Sequence, residues 1–581
     1  MHGFRYDRIL AGTALALILA VPMVGLAEGP NKMAPAPTTA SPPAALPVEQ
    51  TATPAPAPTA VAPVEQSATP APAAAAASPA EQVATPTLAA DPVAVTEQAV
   101  PADPLASLDP ADRAIAEKLR DLLAATSDKI FASKKERAAA GAFYQNRNFL
   151  PLWLDKGVEN ARTTSAIARL KHADADGLEV SDYKTPSFAG LGSDALAEAE
   201  LKLTQAVLTY ARHVQAGRFA YTRVSRNIEL PRVVPEAADI LGTIAAASDV
   251  GKALDAFSPQ HEEYQKLKAM LAELRASAGG KKSEAPRQIE TIIANMERWR
   301  WYPRDLGKAH VVVNQPDFTL KVMHEGAQVW TTRIVIGKPS MPTPLLTETM
   351  KYITVNPTWH VPPSIVHNEY LPALAQDPTV LDRMGLRVSY SGGGVSIWQP
   401  PGPNNALGRI RFNFPNRFLV YQHDTPEKYY FAHEVRAYSH GCMRVQDPAK
   451  YAEVLLNIAR PNEHWTAERI KRMFGSGEQD LQLQPTPIWV HLTYQTAFVD
   501  NAGKLQTRRD VYNLDSRTLA AIKSARGVIE PAPERRREDM VASSGSTQRK
   551  PAAVVRNGTM SQSMVYPTPG YARPLFPAFF R

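Results

Sequence analysis

Residues 311–336 read VVVNQPDFTLKVMHEGAQVWTTRIVI, and this stretch indicates that the second half of the chain is rich in β-strands. Phe318, Leu320 and Val322 alternate with polar residues, which is the period of a strand with one buried face. A turn at 324–327 leads into another apolar run. The stretch therefore predicts short consecutive strands.

Further strand candidates occur along the rest of the second half, separated by glycine and proline. They are Tyr352–Val355, Arg387–Tyr390, Val395–Trp398, Arg409–Phe412, Phe418–Gln422 and Ile488–Tyr494. This punctuation predicts a mainly antiparallel β-sandwich-like or barrel-like domain, which we place at 303–525. Helical spacing after Pro362 predicts a helical insertion at about 362–403. Asp447-Pro448 predicts the start of a further helix.

Residues 107–302 are predicted to form an α-helical scaffold domain, which makes the whole chain an α+β multidomain protein. Asp109-Pro110 has the pattern of an N-cap followed by proline at the first helical position. Gly279-Gly280 is expected to end one helix. Helical spacing marks four segments: Ile115–Leu123, Leu196–Tyr210, Tyr264–Leu274 and Ile289–Trp299. The scaffold domain also contains four aromatic residues, Phe143, Tyr144, Phe149 and Trp153. We interpret them as part of the core rather than as a sugar-binding site.

The two ends of the chain differ in composition from the parts predicted to fold. Arg5 and Arg8 precede an apolar run, so 1–27 has the pattern of a signal peptide, with an uncleaved inner-membrane anchor as the alternative. Either interpretation predicts export and a periplasmic location. Residues 28–106, rich in proline and alanine, predict a disordered tether, and 526–581 predict a disordered tail.

The charge of the chain gives little information about its partners. The formal net charge is +7 over 581 residues. No basic helix or nucleic-acid motif accompanies this modest excess, so we predict no nucleic-acid partner. We interpret the charge as solvated surface, with attraction to an acidic polymer or membrane as the alternative.

The chain has one cysteine, Cys442, in the segment Ser439-His440-Gly441-Cys442-Met443-Arg444, nineteen positions after His423. A single cysteine in an exported chain has no disulfide partner within that chain, which favours a chemical role. A neighbouring imidazole accepts the thiol proton. Amides at Gly441 and Cys442 would stabilise an oxyanion, so the residues predict acyl transfer through a thioester.

Three other interpretations of this cysteine compete with a nucleophile. In the first, Cys442 is a small buried apolar residue. In the second it binds zinc with His423, His433 and His440, although structural zinc sites usually draw on paired ligands and only one sulfur exists here. In the third, Ser439 is the nucleophile, but the Gly-x-Ser-x-Gly context is missing. We predict no metal and no other cofactor.

Two segments, His423-Asp424-Thr425-Pro426 and Ser439-His440-Gly441-Cys442-Met443-Arg444-Val445, resemble the signature of the L,D-transpeptidases of the bacterial cell wall. Other segments are similar to the branch of that family with a large helical scaffold. They are Ile336-Gly337-Lys338-Pro339 with Thr343-Pro344, Asn356-Pro357-Thr358-Trp359 with Val361-Pro362-Pro363-Ser364-Ile365, and Gly408-Arg409-Ile410-Arg411-Phe412 with Phe414-Pro415-Asn416. The resemblance covers residues 110–515 or thereabouts.

The resemblance implies roles for individual residues. Cys442 would be the nucleophile and His423 the base, and the backbone carbonyl of Asp424 would orient the imidazole. The implied catalytic set is Cys442, His423, His440, Gly441, Ser439 and Asp424, with the oxyanion hole formed by amides near Gly441. Arg444 ranks first for binding substrate carboxylates because it is nearest the nucleophile in sequence. The other candidates for substrate binding are Arg436, Arg409, Arg411 and Tyr421.

The reaction implied by the resemblance uses peptidoglycan stem peptides as partners. The thiol would attack the third residue of a tetrapeptide stem and expel D-alanine, and an amine of another stem would complete a 3–3 cross-link. Water as acceptor would make the protein a carboxypeptidase or endopeptidase, and a protein amine would attach the stem to an outer-membrane protein. An inactive wall-binding scaffold protein is the alternative from another class, and other cell-wall enzymes are further candidate partners.

The chain departs from this branch at one point. Relatives commonly carry a small peptidoglycan-binding module between scaffold and catalytic domain, but Gly279-Gly280 lies too close to the helix at Ile289 to leave room for one. Substrate capture is therefore expected to fall to the 362–403 insertion, the scaffold or the tether.

Overall fold

The structure is a computed structural model that describes residues 105, 108–125, 130–277, 285–391 and 394–525. Some predicted features lie outside these ranges: the signal or anchor, the tether up to residue 104, Gly279-Gly280 and the tail from 526. Among the described residues, no helix combines the length and the apolar character needed to cross a bilayer.

Helices dominate the described residues between 108 and 299. Those that the structure describes are α1 Pro110–Ala124, α2 Lys134–Gln145, α3 Ala161–Lys171, α4 Ser193–Ala216, α5 Ala237–Ala246, α6 Val250–Asp255, α7 Glu262–Ser277, α8 Ala285–Trp299, α9 Pro363–Ile365, α10 Leu371–Gln376, α11 Val380–Arg383, α12 Pro448–Ala459, α13 Ala467–Arg472 and α14 Leu514–Ser524. The four segments predicted from helical spacing correspond to α1, α4, α7 and α8. Asp109 caps α1 because its Oδ1 accepts the Ala111 N–H at 3.0 Å.

Strands dominate the described residues between 309 and 507. The described strands are β1 Leu154–Asp155, β2 Val158–Glu159, β3 Ile228–Glu229, β4 Ala309–Asn314, β5 Thr319–His324, β6 Ala327–Gly337, β7 Leu345–Met350, β8 Tyr352–Val355, β9 Trp359–His360, β10 Arg387–Ser391, β11 Gly394–Gln399, β12 Ile410–Asn413, β13 Gln422–His423, β14 Ala437–Ser439, β15 Met443–Val445, β16 Gln479–Gln482, β17 Ile488–Thr493, β18 Ala497–Val499 and β19 Leu505–Thr507. The opening stretch, 311–336, forms β4, β5 and β6, which are antiparallel neighbours.

One curled mixed sheet organises the second half of the chain. Its order is β16-β8-β12-β13-β15-β6-β5-β4-β17-β7-β3, and β14 pairs with β6. The pairs β13–β15, β14–β6, β17–β4 and β3–β7 are parallel, and the other neighbours are antiparallel. The α+β class, with a helical scaffold before a mainly antiparallel β-rich part, is therefore confirmed, but the sandwich description applies only loosely.

The strand predicted at 418–422 is much shorter in the structure. Only Gln422 and His423 pair with neighbouring strands, as β13. The Asn416 side chain folds the preceding residues into a turn, because its Oδ1 accepts the N–H groups of Phe418 and Val420 at 3.1 and 3.3 Å. Those amides are therefore unavailable to a sheet, and the prediction of a long strand here was wrong.

The first core lies among helices α1–α6. Tyr144 and Trp153 are fully buried in it. The Tyr144 hydroxyl donates to Glu200 at 2.8 Å, and the Trp153 indole N–H donates to Thr204 at 2.9 Å. Because both rings are enclosed and their polar atoms are bonded internally, these aromatic residues are core, as predicted.

The second core crosses the boundary predicted at residue 302. Leu267 of α7 and Ile292 of α8 belong to the same buried cluster as the strands of the large sheet. β3 pairs in parallel with β7, with Ile228 opposite Leu345. The first part of the chain therefore supplies two helices and an edge strand to the β-rich part.

The predicted insertion has a small core of its own. Trp359–Gln399 contains α9, a π-helical turn at Val366–Tyr370, α10 and α11, and the separate sheet β10-β11-β9. Ile365, Leu381 and Ile397 are among its buried residues. The helices predicted after Pro362 are present, and the three strands hold them beside the large sheet.

Candidate active site

The cysteine and the histidine predicted to form a pair lie on neighbouring parallel strands. β13 pairs with β15, so that His423 is opposite Arg444 and Gln422 is opposite Met443. Side chains alternate along a strand, and Gln422 and Met443 are fully buried in the core. His423, Arg444 and Cys442, which immediately precedes β15, line the same cavity on the other face.

This cavity has a volume of about 890 Å³. The sheet side contributes Met341, Leu419, Tyr421, His423, Glu427, Ser439, His440, Cys442 and Arg444. The predicted insertion forms much of the facing wall, including Pro362–Ile365, Glu369, Tyr370, Asp382–Leu386 and Gln399–Asn405. The sheet and the insertion thus lie on either side of the thiol. A volume of about 890 Å³ is within the range of ligand-binding pockets and can hold a short peptide.

The tautomer of His423 follows from its hydrogen bond. Nδ1 lies 2.5 Å from the Asp424 carbonyl oxygen. A carbonyl only accepts, so Nδ1 carries the proton and the neutral ring has its lone pair on Nε2. Burial, followed by the positive charge of Arg444, lowers the pKa of His423 to about 3. The imidazole is therefore neutral at physiological pH, with the lone pair on Nε2 unprotonated.

The Asp424 side chain holds its own backbone in place. Its Oδ2 accepts the Arg409 N–H at 2.8 Å, and its Oδ1 accepts from the Lys428 ammonium at 2.6 Å. Gly408, at φ +61°, passes so close to this carboxylate that a Cβ there would collide with it. The carboxylate thus anchors the segment whose carbonyl orients His423.

The Cys442 thiol is half-buried and protonated at neutral pH. Burial raises its pKa to about 11, although Tyr421, Arg411 and Arg444 act in the opposite direction. Burial and the negative charge of a Cys442 thiolate together raise the pKa of Tyr421, which lines the same cavity. Since the thiol is neutral and His423 is neutral, no ion pair between them exists in the resting structure.

Ser439 organises the turn that carries the cysteine. Its hydroxyl donates to the Cys442 carbonyl at 2.5 Å and accepts the Gly441 N–H at 3.2 Å. The Gly441 amide predicted for the oxyanion hole is therefore already used. Among the hydrogen bonds of the described residues, the Cys442 N–H has no acceptor, so it remains available to a ligand.

Thr343, to which no role was assigned from the sequence, fixes the orientation of that amide. Its hydroxyl donates to the Gly441 carbonyl at 2.8 Å and accepts the Gly337 N–H at 2.9 Å. Thr343 is buried, and Gly441 has φ +115°, which favours glycine. The carbonyl of Gly441 and the N–H of Cys442 belong to one planar peptide and point in opposite directions. With the carbonyl held toward Thr343, the N–H points away from that residue.

His440 connects the sheet to the insertion. Its Nε2 lies 2.7 Å from the Glu369 carboxylate and 3.3 Å from the Lys338 ammonium. All three side chains are at least partly exposed, so the contacts are solvated. His440 therefore lies at the cavity wall, where its hydrogen-bonding partners are Glu369 and Lys338 and not His423.

The predicted arginines separate into two groups. Arg444 lines the cavity, with one N–H bonded to Glu427 at 2.6 Å and a buried Nε that has no partner. Arg411 does not line the cavity itself, but its guanidinium lies 5.7 Å from the centre of the ring of Tyr421, which does. Arg436 is buried and bonded to the carbonyls of Ile334, His433 and Phe318, outside the cavity. Arg409 also lies outside it, beside the ring of Phe474. The last two are therefore removed as substrate-binding candidates.

Glu369 and Glu427 line the cavity but were not among the residues predicted from the sequence. Glu427 follows the His423-Asp424-Thr425-Pro426 segment directly, so proximity to that segment was an available signal. Glu369 had none, because only the packing of the insertion brings it to His440. Within the described ranges, no three His, Cys, Asp or Glu side chains are grouped closely enough to hold a metal ion.

Comparison with known proteins gives two family matches. The model of a scaffold domain matches residues 138–271, and that of the YkuD-type L,D-transpeptidase catalytic domain matches residues 308–470. The second range contains both β13 and β15. A curated Haemophilus influenzae protein, named as a candidate L,D-transpeptidase, is 24% identical over 400 residues, which is 64% of this chain and 77% of that protein.

Solved structures with some likeness to the chain have low overall similarity. An L,D-transpeptidase from Mycobacterium smegmatis is 14% identical, with 32% of this chain and 59% of that one covered and a TM-score of 0.18. A mutant L,D-transpeptidase from Enterococcus faecium is 11% identical, with 46% and 97% covered and a TM-score of 0.17. Scores this low add no argument. The two family matches, however, agree with the order of helical scaffold and β-rich part described above, and they identify the chain as one that combines a scaffold domain with an L,D-transpeptidase catalytic domain of the YkuD type.

Proposed function

We propose that this protein is an exported peptidoglycan L,D-transpeptidase that forms 3–3 cross-links by cysteine acyl transfer. The observation that carries the proposal is the enclosure of Cys442 and His423 in one cavity, with the histidine tautomer fixed by Asp424. A peptide stem fits the size and the mixed polar and apolar lining of this cavity. The paired catalytic residues also argue against an inactive scaffold protein.

Acylation begins from two neutral groups. Nε2 of His423 takes the thiol proton as Sγ of Cys442 attacks the carbonyl carbon of the third stem residue. The Cys442 N–H donates to the oxyanion that forms. The carbon–nitrogen bond to the terminal D-alanine then breaks, and His423 returns the proton to the departing amine. The product is a thioester between Cys442 and the stem.

Deacylation follows the same route in reverse. A side-chain amine of a second stem attacks the thioester carbonyl and gives up a proton to His423. The carbon–sulfur bond breaks, a 3–3 cross-link is formed, and the thiolate regains its proton from His423. Water in place of the amine gives a tripeptide, which is the carboxypeptidase alternative. A protein amine gives a stem attached to that protein.

Arg444 is proposed to bind a stem carboxylate. It is the predicted arginine that lines the cavity, and its unpartnered buried Nε leaves a donor free. A guanidinium also suits carboxylates geometrically because it presents parallel N–H groups. His440 is proposed to hold the insertion against the site through Glu369, and Ser439 to shape the turn at Gly441.

The proposal is tested by incubating the full chain with disaccharide-tetrapeptide muropeptides. Mass spectrometry would follow the loss of D-alanine and the formation of dimers, with Cys442→Ala as the control. Dimers of the cross-linked mass, formed only by the parent protein, are expected. Tripeptide without dimers would establish the carboxypeptidase alternative instead.

The control also separates chemistry from folding. Cys442 is half-buried and the replacement is small, so Cys442→Ala should keep the thermal unfolding temperature of the parent within a few degrees. Lost turnover together with lost folding would give the cysteine a structural role. Absence of any reaction by the folded parent would favour the wall-binding alternative.

A further inference from the structure

Three tyrosines form an exposed stack beside the cavity. The rings of Tyr429 and Tyr430 have centroids 4.4 Å apart, and those of Tyr430 and Tyr438 are 4.7 Å apart with an angle of 28° between their planes. Tyr429 is 58% exposed and Tyr438 is 40% exposed. Contiguous aromatic surface in solvent, unlike a single exposed residue, points to an interaction site.

The stack has a fixed shape. The Tyr438 hydroxyl is 2.7 Å from Nδ1 of His433, whose ring meets that of Tyr438 edge to face. Tyr429 and Tyr430 belong to one 3₁₀ turn, Lys428–Ala432, and Tyr438 lies on β14. The rings are thus held by contacts between two segments, and a ligand would find them already arranged.

Two cavity-lining residues also contact the stack. The guanidinium of Arg444 is 5.1 Å from the centre of the Tyr430 ring, and Glu427, which bonds to Arg444, lies 3.5 Å from the Tyr429 hydroxyl. Tyr438 is followed directly by Ser439, another lining residue. The stack therefore continues the wall of the cavity outward onto the surface.

We propose that this tyrosine stack, Tyr429, Tyr430 and Tyr438, docks the sugar chain that carries the stem peptide. The inference rests on the proposed function, because a stem in the cavity is covalently joined to a glycan that must leave along a neighbouring surface. The occupant is a chain of N-acetylated hexose units.

The chemistry of the stack fits a sugar better than a lipid or an apolar protein surface. A pyranose ring has one apolar C–H face and a polar rim of hydroxyl groups. Tyr429 and Tyr438 offer exposed apolar ring surface, and Nε2 of His433, the ring nitrogen that is not bonded to Tyr438, offers a hydrogen bond at the edge. Stacking on an aromatic face tolerates variation in the ligand, which suits a repeating polymer.

The test compares two substrates that differ only in the sugar. One is a glycan strand carrying tetrapeptide stems, and the other is the free tetrapeptide stem. The double variant Tyr429→Ala/Tyr438→Ala in the full chain should lower kcat/KM on the glycan-linked substrate by about 3- to 10-fold, the range expected for lost aromatic contacts. Turnover of the free stem should stay within about twofold of the parent.

Trp489→Ala is the matched control. Trp489 is an exposed aromatic residue (38%) on β17, outside the stack and the insertion, and it does not line the cavity. It should leave the ratio of kcat/KM for the two substrates unchanged. An equal loss on both substrates in the double variant would mean that the tyrosines act on the peptide site, and no loss on either would remove them from docking. Both results would overturn the proposal.

A binding measurement keeps this inference distinct from the proposed reaction. Titration of the Cys442→Ala protein with stem-free glycan strands should give saturable binding that weakens in the triple variant with Tyr429→Ala and Tyr438→Ala. If the parent turns over neither substrate but this difference persists, the reaction is wrong and the docking surface stands. Absent glycan binding, or self-association that the tyrosine replacements abolish, would assign the stack to something other than sugar.

Discussion

Thr343 and Gly441 are joined by a hydrogen bond of 2.8 Å from the threonine hydroxyl to the glycine carbonyl. This contact fixes the peptide that supplies the Cys442 N–H. Replacement by Thr343→Val keeps the shape of the side chain and removes the donor. We expect kcat to fall about 10- to 100-fold, with little change in KM. This fall does not exceed the one expected when an oxyanion-hole donor is removed altogether, because the Cys442 N–H is still present but less well oriented.

Thr343→Ser is the control for that variant, because it keeps the hydroxyl. It should recover most of the lost kcat. Unfolding measured by denaturant should show a loss of about 1–3 kcal/mol for each of the two groups that Thr343→Val leaves without a partner, the Gly441 carbonyl and the Gly337 N–H. A fall in stability with unchanged kcat would limit Thr343 to a structural role.

The reactivity of Cys442 toward iodoacetamide should rise steadily with pH. The reagent is neutral and reacts with the thiolate, and the pKa of the thiol is raised by burial to about 11. The rate should therefore increase about tenfold per pH unit between pH 7 and 10. Intact-protein mass spectrometry measures it directly. A plateau that begins below pH 7 would instead indicate a preformed thiolate–imidazolium pair.

His423→Ala should slow acylation severely without changing that alkylation profile. The imidazole acts as a proton acceptor during attack, and removal of a general base typically costs about 10²- to 10⁴-fold. The readout is the rate at which the protein gains the mass of a tripeptide acyl group from a stem substrate. Unimpaired thioester formation would remove His423 from the role of base.

Arg444→Gln should reduce discrimination for a substrate carboxylate. The parent should prefer a stem with a free terminal carboxylate over the amidated stem, and the variant should lose about 10- to 100-fold of that preference. Arg409→Gln is the matched control, since this guanidinium lies outside the cavity and its backbone bond to Asp424 is kept. Equal discrimination by the parent and Arg444→Gln would assign the carboxylate to another group.

The β-rich part should lose stability in mild acid. Burial lowers the pKa of His491 to about 4 and that of His423 to about 3, against about 6.5 in an unfolded chain. Below pH 6.5 the unfolded chain binds protons that the folded protein does not, so the stability present above pH 6.5 declines as the pH falls toward 4. Each histidine contributes a slope of roughly 1.4 kcal/mol per pH unit.

Denaturant unfolding between pH 7 and pH 4.5 measures this slope. His491→Gln should make it shallower, whatever the variant does to stability at neutral pH. His464→Gln, at an exposed position, should leave the slope unchanged. Equal slopes in the parent and His491→Gln would show that this ring is not kept neutral by the fold.

Local patterns were sufficient to predict much of the secondary structure. β8 has the predicted bounds, Tyr352–Val355, and α12 starts after Asp447 as proposed. Both depend on signals confined to a few adjacent residues, namely alternation and a proline at the first helical position. The strand at 418–422 was wrong because a single side chain, Asn416, competes for its amides.

The site could be predicted only where neighbouring residues in the sequence remain neighbours in space. Cys442 and His423 line one cavity because β13 carries the histidine and β15, which pairs with β13, directly follows the cysteine. Arg436, like Arg444, is a positively charged residue close to Cys442 in the sequence. Its guanidinium nevertheless bonds to three backbone carbonyls, which sequence alone does not reveal. Glu369 reaches His440 from 71 positions away through the folding of the insertion.

The pairing of β3 with β7 has a consequence for dissecting the molecule. Ile228 is paired with Leu345, two residues after Thr343, and the Leu345 N–H donates to the Asn227 carbonyl at 3.0 Å. A fragment that starts at residue 303 would keep the nucleophile but expose an open sheet edge beside the very loop that aims its amide. Through β3, the helical half supports the loop that positions the Cys442 N–H. Weak turnover by such a fragment would therefore reflect the loss of this support and not a defect in the catalytic residues.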